Sequence, residues 1–240
     1  MRRVSNNHME KKFTKIEKTI KIKFKNKDLL QQAFVHRSYL NEHPDFPLEH
    51  NERLEFLGDA VLELIVTDYL YKNFNDPEGE MTNWRAALVR GEMLSKVAFK
   101  FGMGELMMLS HGEAKTGGRD RKVLLANAFE ALIGAIYLDQ GIKTTTKFIN
   151  HNLIIHLKKI IKDGSYQDAK SVLQEKSQDE LGITPTYEVL EESGPDHAKK
   201  FVVGVHLGEK LLGQGKGNSK QEAQQEAAKD GLDNWHKSNQ

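Results

Sequence analysis

Four carboxylates crowd one short stretch of this 240-residue chain: Glu52, Glu55, Asp59 and Glu63, inside the run from Asn51 to Leu64 (NERLEFLGDAVLEL). Wound as an α-helix, at about 100° per residue, they share a narrow arc. Leu54, Leu57, Val61, Leu64 and Ile65 gather on the other side and are expected to bury. Like charges on one face repel, so something must compensate them. Water and nearby Lys or Arg do so on an ordinary solvated face. A divalent cation does so in a site built for chemistry. Mg²⁺ is hard, takes oxygen ligands, and keeps waters and phosphates in its shell. Both readings stand at this point. Two details bear on them. Gly58 inside a helix costs about 1 kcal/mol relative to Ala, which is tolerated where another backbone or a substrate comes close. Phe56 falls on the acidic flank, where a large apolar side chain points to a partner surface.

A second set of candidates lies in the apolar helix expected from Leu124 to Leu138. Asn127 and Glu130 are three apart and share a face. Ala131 and Gly134 flank them, while Phe129, Leu132, Ile133 and Ile136 point into a core. Glu130 is either a plain surface glutamate or, given its small neighbours, a partly desolvated carboxylate over a close helix contact. The second case needs a cation. His36 reads as a packing or hydrogen-bonding residue rather than a general base, since geometry precedes role.

The elements that must carry these residues are helical up to about Lys159. There the apolar spacing follows the helical period, interrupted at Asn75-Asp76-Pro77-Glu78-Gly79 and by a polar, Gly-containing loop from His111 to Arg121. A polar linker is expected at 161–167. Beyond it the period changes. Ala169 to Leu181 reads as a helix and Thr186 to Glu191 as extended. Phe201, Val203, Val205 and Leu207 alternate, Gly208-Glu209 is a two-residue hairpin turn, and Asn218 to Trp235 is a closing helix. The fold class is therefore α+β: an all-α domain over 13–160, the linker, and an α-β-β-β-α unit over 168–240.

Hydrophobic residues make up 38% of the chain, enough for a core in one or two domains. No cysteine is present, which excludes disulfides, thiolate chemistry and Cys-based zinc sites and fits a reducing, cytoplasmic setting. The first residues lack the apolar stretch of a signal peptide. No apolar run approaches the roughly 20 residues that span a bilayer, so no membrane partner is expected. A net charge of +1 means that any nucleic-acid affinity rests on local charge, such as the lysines from Lys11 to Lys23.

The run NERLEFLGDAVLEL resembles the signature of ribonuclease III, the endonuclease of double-stranded RNA. Ala33-Phe34-Val35-His36-Arg37-Ser38-Tyr39, Glu78-Gly79-Glu80-Met81-Thr82, Arg85-Ala86 with Leu88-Val89-Arg90, and Ala126 to Asp139 follow in that family's order. The resemblance runs from about Phe13 to the C-terminus. It implies that Glu55, Asp59 and Glu130 are Mg²⁺ ligands, with Asp59 and Glu130 central to catalysis. Glu52 and Glu78 match acidic cleft positions that support the metal, the RNA or a water. Asn127 departs from the family's usual Asp and offers a neutral oxygen to the metal set. Phe56 matches a dimer contact. The implied activity is Mg²⁺-dependent cleavage of duplex RNA to 5′-phosphate and 3′-hydroxyl ends, in rRNA and mRNA precursor processing. A homodimer follows physically, because cutting both strands takes two carboxylate clusters and a two-fold axis supplies the second.

The C-terminal unit resembles a double-stranded RNA-binding domain. Gln174 on its first helix, Pro195 and His197 in the loop between its first two strands, and Lys216, Ser219 and Lys220 before its last helix are the expected RNA contacts. Ser219 and Glu222 have capping-box spacing, which would make an anion site of the helix start. Two rivals remain: a double-stranded RNA-binding protein with a weakened nuclease fold, and a purely structural helical protein with solvated acidic faces.

Overall fold

The computed structural model describes residues 2–164, 169–195 and 199–238. They form two compact units, Met1–Tyr166 and Gln167–Gln240.

The first unit is built from α1 (Arg2–Ile20), α2 (Lys27–Gln32), α3 (Arg37–Glu42), α4 (Glu52–Asn73), α5 (Glu78–Val89), α6 (Gly91–Lys100), α7 (His111–Lys115), α8 (Lys122–Asn152) and α9 (Leu157–Asp163). Single 3₁₀ turns lie at Met103–Leu106, Gly118–Asp120 and Ile154–His156. Helices α4 and α8 pack along each other, and α6 covers another side of α8. Leu62, Val66, Phe129, Leu132, Ile133 and Ile136 sit in the core between them, fully or almost fully buried.

Leu64 departs from expectation: it is 62% exposed. It lies about 80° around α4 from Leu54, and the buried arc turns the other way, through Gly58, Leu62 and Val66. Leu64 instead joins Phe56 and Tyr71 in an exposed apolar stripe along α4.

Helix α8 breaks at Gly141, whose φ of 75° and ψ of 174° no helix contains. Two helical segments result, and the first contains the helix expected from Leu124 to Leu138. The membrane expectation needs correction. The stretch Lys122–Lys162 is long and apolar enough to cross a bilayer by length and composition. Its apolar window is 56% buried inside the unit, however, because these side chains form the core. Residues 161–163 of the expected linker belong to α9, and Ile161 packs on the core. Gly164 then ends the helix at a φ of 58°. Residues 165–167 lie outside the described residues.

The second unit runs α10 (Ala169–Leu181), β1 (Thr186–Ser193), β2 (Lys200–Leu207), β3 (Lys210–Gly217) and α11 (Lys220–Ser238). The strands form one antiparallel sheet in the order β1-β2-β3. Gly208, at a φ of 60°, turns β2 into β3, with Leu207 paired to Lys210. Phe201, Val203 and Val205 face a separate small core with Leu173, Ala227 and Trp235.

Close approach organises this unit too. Gly213, Gly215 and Gly217 alternate on one face of β3. A Cβ on Gly215 would lie 2.1 Å from the Ala227 nitrogen, and one on Gly217 2.6 Å from the Ala223 nitrogen. The glycines exist so that α11 can lie directly on the strand backbone.

Candidate metal centre and nucleic-acid interface

The site begins where α4 crosses α8. A Cβ on Gly58 would stand 1.8 Å from the Glu130 carbonyl oxygen, and one on Gly134 would stand 2.2 Å from the Leu54 carbonyl oxygen. The two glycines therefore face each other's helices, and the backbones touch. This contact answers why a glycine sits in the middle of the acidic helix. It also sets Glu55 and Asp59 on α4 beside Asn127 and Glu130 on α8.

Electrostatics report the proximity. Burial, then the Asp59 and Glu55 charges, push the Glu130 carboxyl up to about 7. Burial first, then Glu52 and Asp59, raise the Glu55 carboxyl, while a hydrogen bond from Asn127 opposes them. Three carboxylates from two helices thus repel one another across the crossing.

The rest of the acidic face is compensated in the ordinary way. Glu52 has Arg37 and His50, each at 3.8 Å. Glu63 has Arg85 at 3.5 Å. Among the described residues, Glu55, Asp59 and Glu130 form no ion pair. On the acidic helix Glu52 and Glu63 therefore belong to an ion-paired surface, while Glu55 and Asp59, with Glu130 from α8, have no ion-pair partner among the described residues.

The donor set fits a hard divalent cation: carboxylate oxygens, partly desolvated, with an amide alongside. No three His, Cys, Asp or Glu side chains among the described residues stand close enough together to grip an ion as they are. Like charges without a counter-ion repel and keep apart. Asp59 is exposed and Glu55 half-buried.

Glu78 is not brought into this cluster. It opens α5, accepts a hydrogen bond from the Thr82 hydroxyl at 2.9 Å, and lines a separate cavity with Tyr71, Met81 and Arg85. Phe56 is 81% exposed and borders a cavity of about 660 Å³ with Leu29, Gln32, His50 and Leu138. His36 caps α3: its Nδ1 accepts the Ser38 N–H at 3.2 Å. Burial, ahead of the surrounding charges, lowers its pKa.

Two positioning residues escaped sequence reasoning. Asn51 is buried and donates its side-chain N–H to the Ala33 carbonyl at 3.2 Å, while its backbone N–H meets Val35 at 2.8 Å. The start of α4 is thereby fixed. An Asn directly before an apolar-periodic run is a helix-start signal, though here its side chain turns inward instead of capping. Asp139 accepts the backbone N–H groups of Lys25 and Asn26 at 2.9 and 2.8 Å, tying α8 to the entry of α2. Spacing along the chain gives no sign of that partnership.

In the second unit Gln174, Pro195 and Lys216 are exposed. His197 lies outside the described residues. Ser219 caps α11 by accepting the Glu222 N–H at 3.1 Å. Glu222 returns to the Asn218 N–H at 2.7 Å, one residue earlier than a capping box requires. Lys220 rests its ammonium 5.7 Å from the centre of the Phe201 ring. The Gly215-Lys216-Gly217 stretch, expected to serve phosphate, owes its glycines to helix packing. Lys216 alternates with them on the other face of β3.

Comparison with known proteins agrees with this division. Residues 26–157 match the Ribonuclease-III-like family, and residues 169–234 the double-stranded RNA binding motif. Ribonuclease 3 of Oceanobacillus iheyensis is 47% identical over 227 residues, covering 93% of this chain and 98% of that protein. Ribonuclease 3 of Geobacillus sp. is 50% identical over 222 residues, covering 90% and 88%. A solved nuclease domain of ribonuclease III from Campylobacter jejuni, described for flexibility in a region involved in dimer formation, superposes with a TM-score of 0.52. It shares 38% identity and covers 57% of this chain and 96% of its own.

Proposed function

This chain belongs to the ribonuclease III family and is an endoribonuclease of that type carrying a double-stranded RNA-binding motif; we propose that it cuts duplex RNA with Mg²⁺ held by Glu55, Asp59 and Glu130. Nucleases of this family are metal-dependent. One observation carries the assignment here: these three carboxylates lie on either side of a backbone contact and raise one another's pKa, with no ion-pair partner among the described residues. Glu55, Asp59 and Glu130 would hold the ion, which would neutralise charge on phosphoryl oxygens and lower the pKa of a bound water; the ends expected from such cleavage are 5′-phosphate and 3′-hydroxyl.

The chain's own groups set the conditions. Glu130, its carboxyl pushed up to about 7 by burial and by the Asp59 and Glu55 charges, keeps its proton to higher pH than an ordinary carboxyl. Asn127, beside Glu55, works against the burial and charges that raise that carboxyl's pKa. The second unit supplies duplex affinity through Gln174, Lys216 and Lys220, leaving cleavage chemistry to the first. Structured precursors of rRNA and mRNA are the substrates we expect.

Two copies are needed to cut two strands. The exposed Phe56, Leu64 and Tyr71 stripe and the cavity beside Phe56 support a symmetric dimer. Phe56→Ala should shift sedimentation toward monomer at low micromolar concentration and lower double-strand cleavage. An unchanged dimer would place Phe56 elsewhere.

One observation favours the second reading, a duplex-binding protein with a weakened centre. Asn127 brings a neutral amide, which adds no charge to the three carboxylates beside it. Long duplex RNA incubated with Mg²⁺ and then with EDTA separates the two. Cleavage that EDTA abolishes supports the nuclease; binding without cleavage at any Mg²⁺ concentration supports the alternative.

A further inference from the structure

A cationic groove lies on the first unit where α5 gives way to α6 and α9 packs alongside. Arg90, Lys96, Lys100 and Lys159 line it, over a floor that includes Val97 and Ile160. Its volume is about 420 Å³, inside the roughly 300–1,000 Å³ range of small-ligand sites. It is separate from the carboxylate cluster. None of Glu55, Asp59, Asn127 and Glu130 lines it.

The charge here is not the usual mixture of a solvated surface. Helix α6 begins with an acid and a base four apart, and Glu92 takes Lys96 at 2.7 Å and approaches Arg90 at 3.9 Å. Four residues further on stands Lys100, again a lysine, with no acid to match it. Lys100 and Lys159 form no ion pair with any described residue. They come from different helices, yet both act on His156, which also lines the groove. Burial first, then these two lysines, lower the His156 pKa. Four permanent cations thus converge on one concavity against one carboxylate.

An apolar floor under a cationic rim suits a ligand with one face of each kind. A sugar or base can lie on Val97 and Ile160 while phosphate oxygens meet the two free ammonium groups and the Arg90 fork. A rigid duplex carries its phosphates on convex ridges and cannot enter such a concavity, whereas a single flexible nucleotide can. We propose that this groove binds a nucleoside phosphate, either free or as an unpaired end of an RNA. The inference does not rest on the nuclease reading.

The test uses the full chain in EDTA, so that no RNA is cut. Two fluorescent probes distinguish the sources: adenosine 5′-monophosphate and a five-nucleotide single-stranded RNA. Lys100→Glu/Lys159→Glu is compared with Lys143→Glu/Lys147→Glu, which makes the same charge change at exposed positions of α8. Circular dichroism checks that both variants fold. The groove variant should lose about tenfold or more in affinity for at least one probe, with the control within about twofold of wild type. Loss for the mononucleotide identifies a free nucleotide as ligand; loss for the oligomer alone identifies an RNA end. If wild type binds neither probe at millimolar concentration, or both variants weaken binding equally, the groove is no site.

Discussion

Backbone meets backbone at two places in this molecule, and the two contacts serve different ends. At the α4–α8 crossing, Gly58 and Gly134 remove the side chains that would hold the helices apart. At the β3–α11 contact, Gly213, Gly215 and Gly217 do the same for a helix on a strand. The packing device is shared; the charge it leaves behind is not. The α11 start satisfies itself, with Ser219, Asn218 and Glu222 bonded to one another. The α4–α8 crossing brings Glu55, Asp59 and Glu130 to one place and gives them no ion-pair partner among the described residues. Close approach makes rigid structure in both places. Only where it also concentrates uncompensated charge does it make a candidate for chemistry.

The strongest way to break the comparison is to fill each contact with one methyl group. Gly58→Ala places a carbon against a carbonyl oxygen that belongs to another helix and cannot rotate away. The cost should exceed the about 1–3 kcal/mol of ordinary overpacking, even after the roughly 1 kcal/mol that Ala gains in a helix. The first unit should unfold, or fold with its cluster pulled open and inactive. Gly215→Ala should damage the second unit alone. Limited proteolysis followed by mass spectrometry reads which unit is lost. Equal damage to both units by either change would show that the contacts are not independent.

Glu130→Ala comes next in size and affects chemistry without folding. It removes one of three charged oxygens and also relieves repulsion, so metal-free stability should hold or rise. Cleavage should fall by orders of magnitude while duplex binding stays near wild type, because binding rests on the second unit. A variant that cuts normally would remove Glu130 from the site.

A third prediction follows from the pKa of Glu130, raised from 4.5 to about 7. The folded state keeps its proton to higher pH than the unfolded state does. Below about 4.5 both states are protonated and the stability contribution is complete; it is lost as pH rises through about 7. After discounting for partial exposure, the loss is on the order of 2 kcal/mol. Mg²⁺ favours the ionised carboxylates and should reverse it. The melting temperature with Mg²⁺ minus that with EDTA should therefore widen from pH 5.5 to pH 8. Parallel curves would mean that no cation binds at the crossing. At the α11 start, where Ser219 and Glu222 already satisfy the backbone, no such metal-dependent change is expected.

Much of this contrast was legible in the chain itself. Gly58 announced a close approach by its cost in a helix, and Ala131 and Gly134 pointed to the same contact from the other side. The alternation of Phe201, Val203 and Val205 gave the strand, and Gly208 its turn. What stayed hidden depends on distance in sequence. Asp139 bonds residues 113 and 114 positions away, and no local pattern encodes that. Leu64 looked buried because helical periodicity gives an angle but not which side of the arc faces the core. The role of the β3 glycines stayed hidden as well, because the strand alternation does not show that a helix lies directly on their backbone. Which carboxylates keep a counter-ion was also invisible, because Arg37 and Arg85 reach Glu52 and Glu63 from other helices.

The smallest expected effect concerns the one position where the acidic pattern is interrupted. Asn127 now donates a hydrogen bond to Glu55 and pulls its pKa down, against burial and the neighbouring charges that raise it. Asn127→Asp exchanges that donor for a fourth charge beside the cluster. Without metal, Glu55 loses its one stabilising partner and gains another repulsive one, so metal-free stability should drop by about 1 kcal/mol. With metal the sign reverses, because Mg²⁺ attracts an anionic oxygen more strongly than an amide carbonyl. The Mg²⁺ concentration for half-maximal cleavage should fall, and the rate at saturating Mg²⁺ should change little. Measuring cleavage and melting temperature together over a Mg²⁺ series keeps these effects apart. A wild-type protein that is silent at every Mg²⁺ concentration, and is switched on by this one substitution, would overturn the nuclease assignment for the native chain. It would make the α4–α8 crossing, like the β3–α11 contact, a piece of packing.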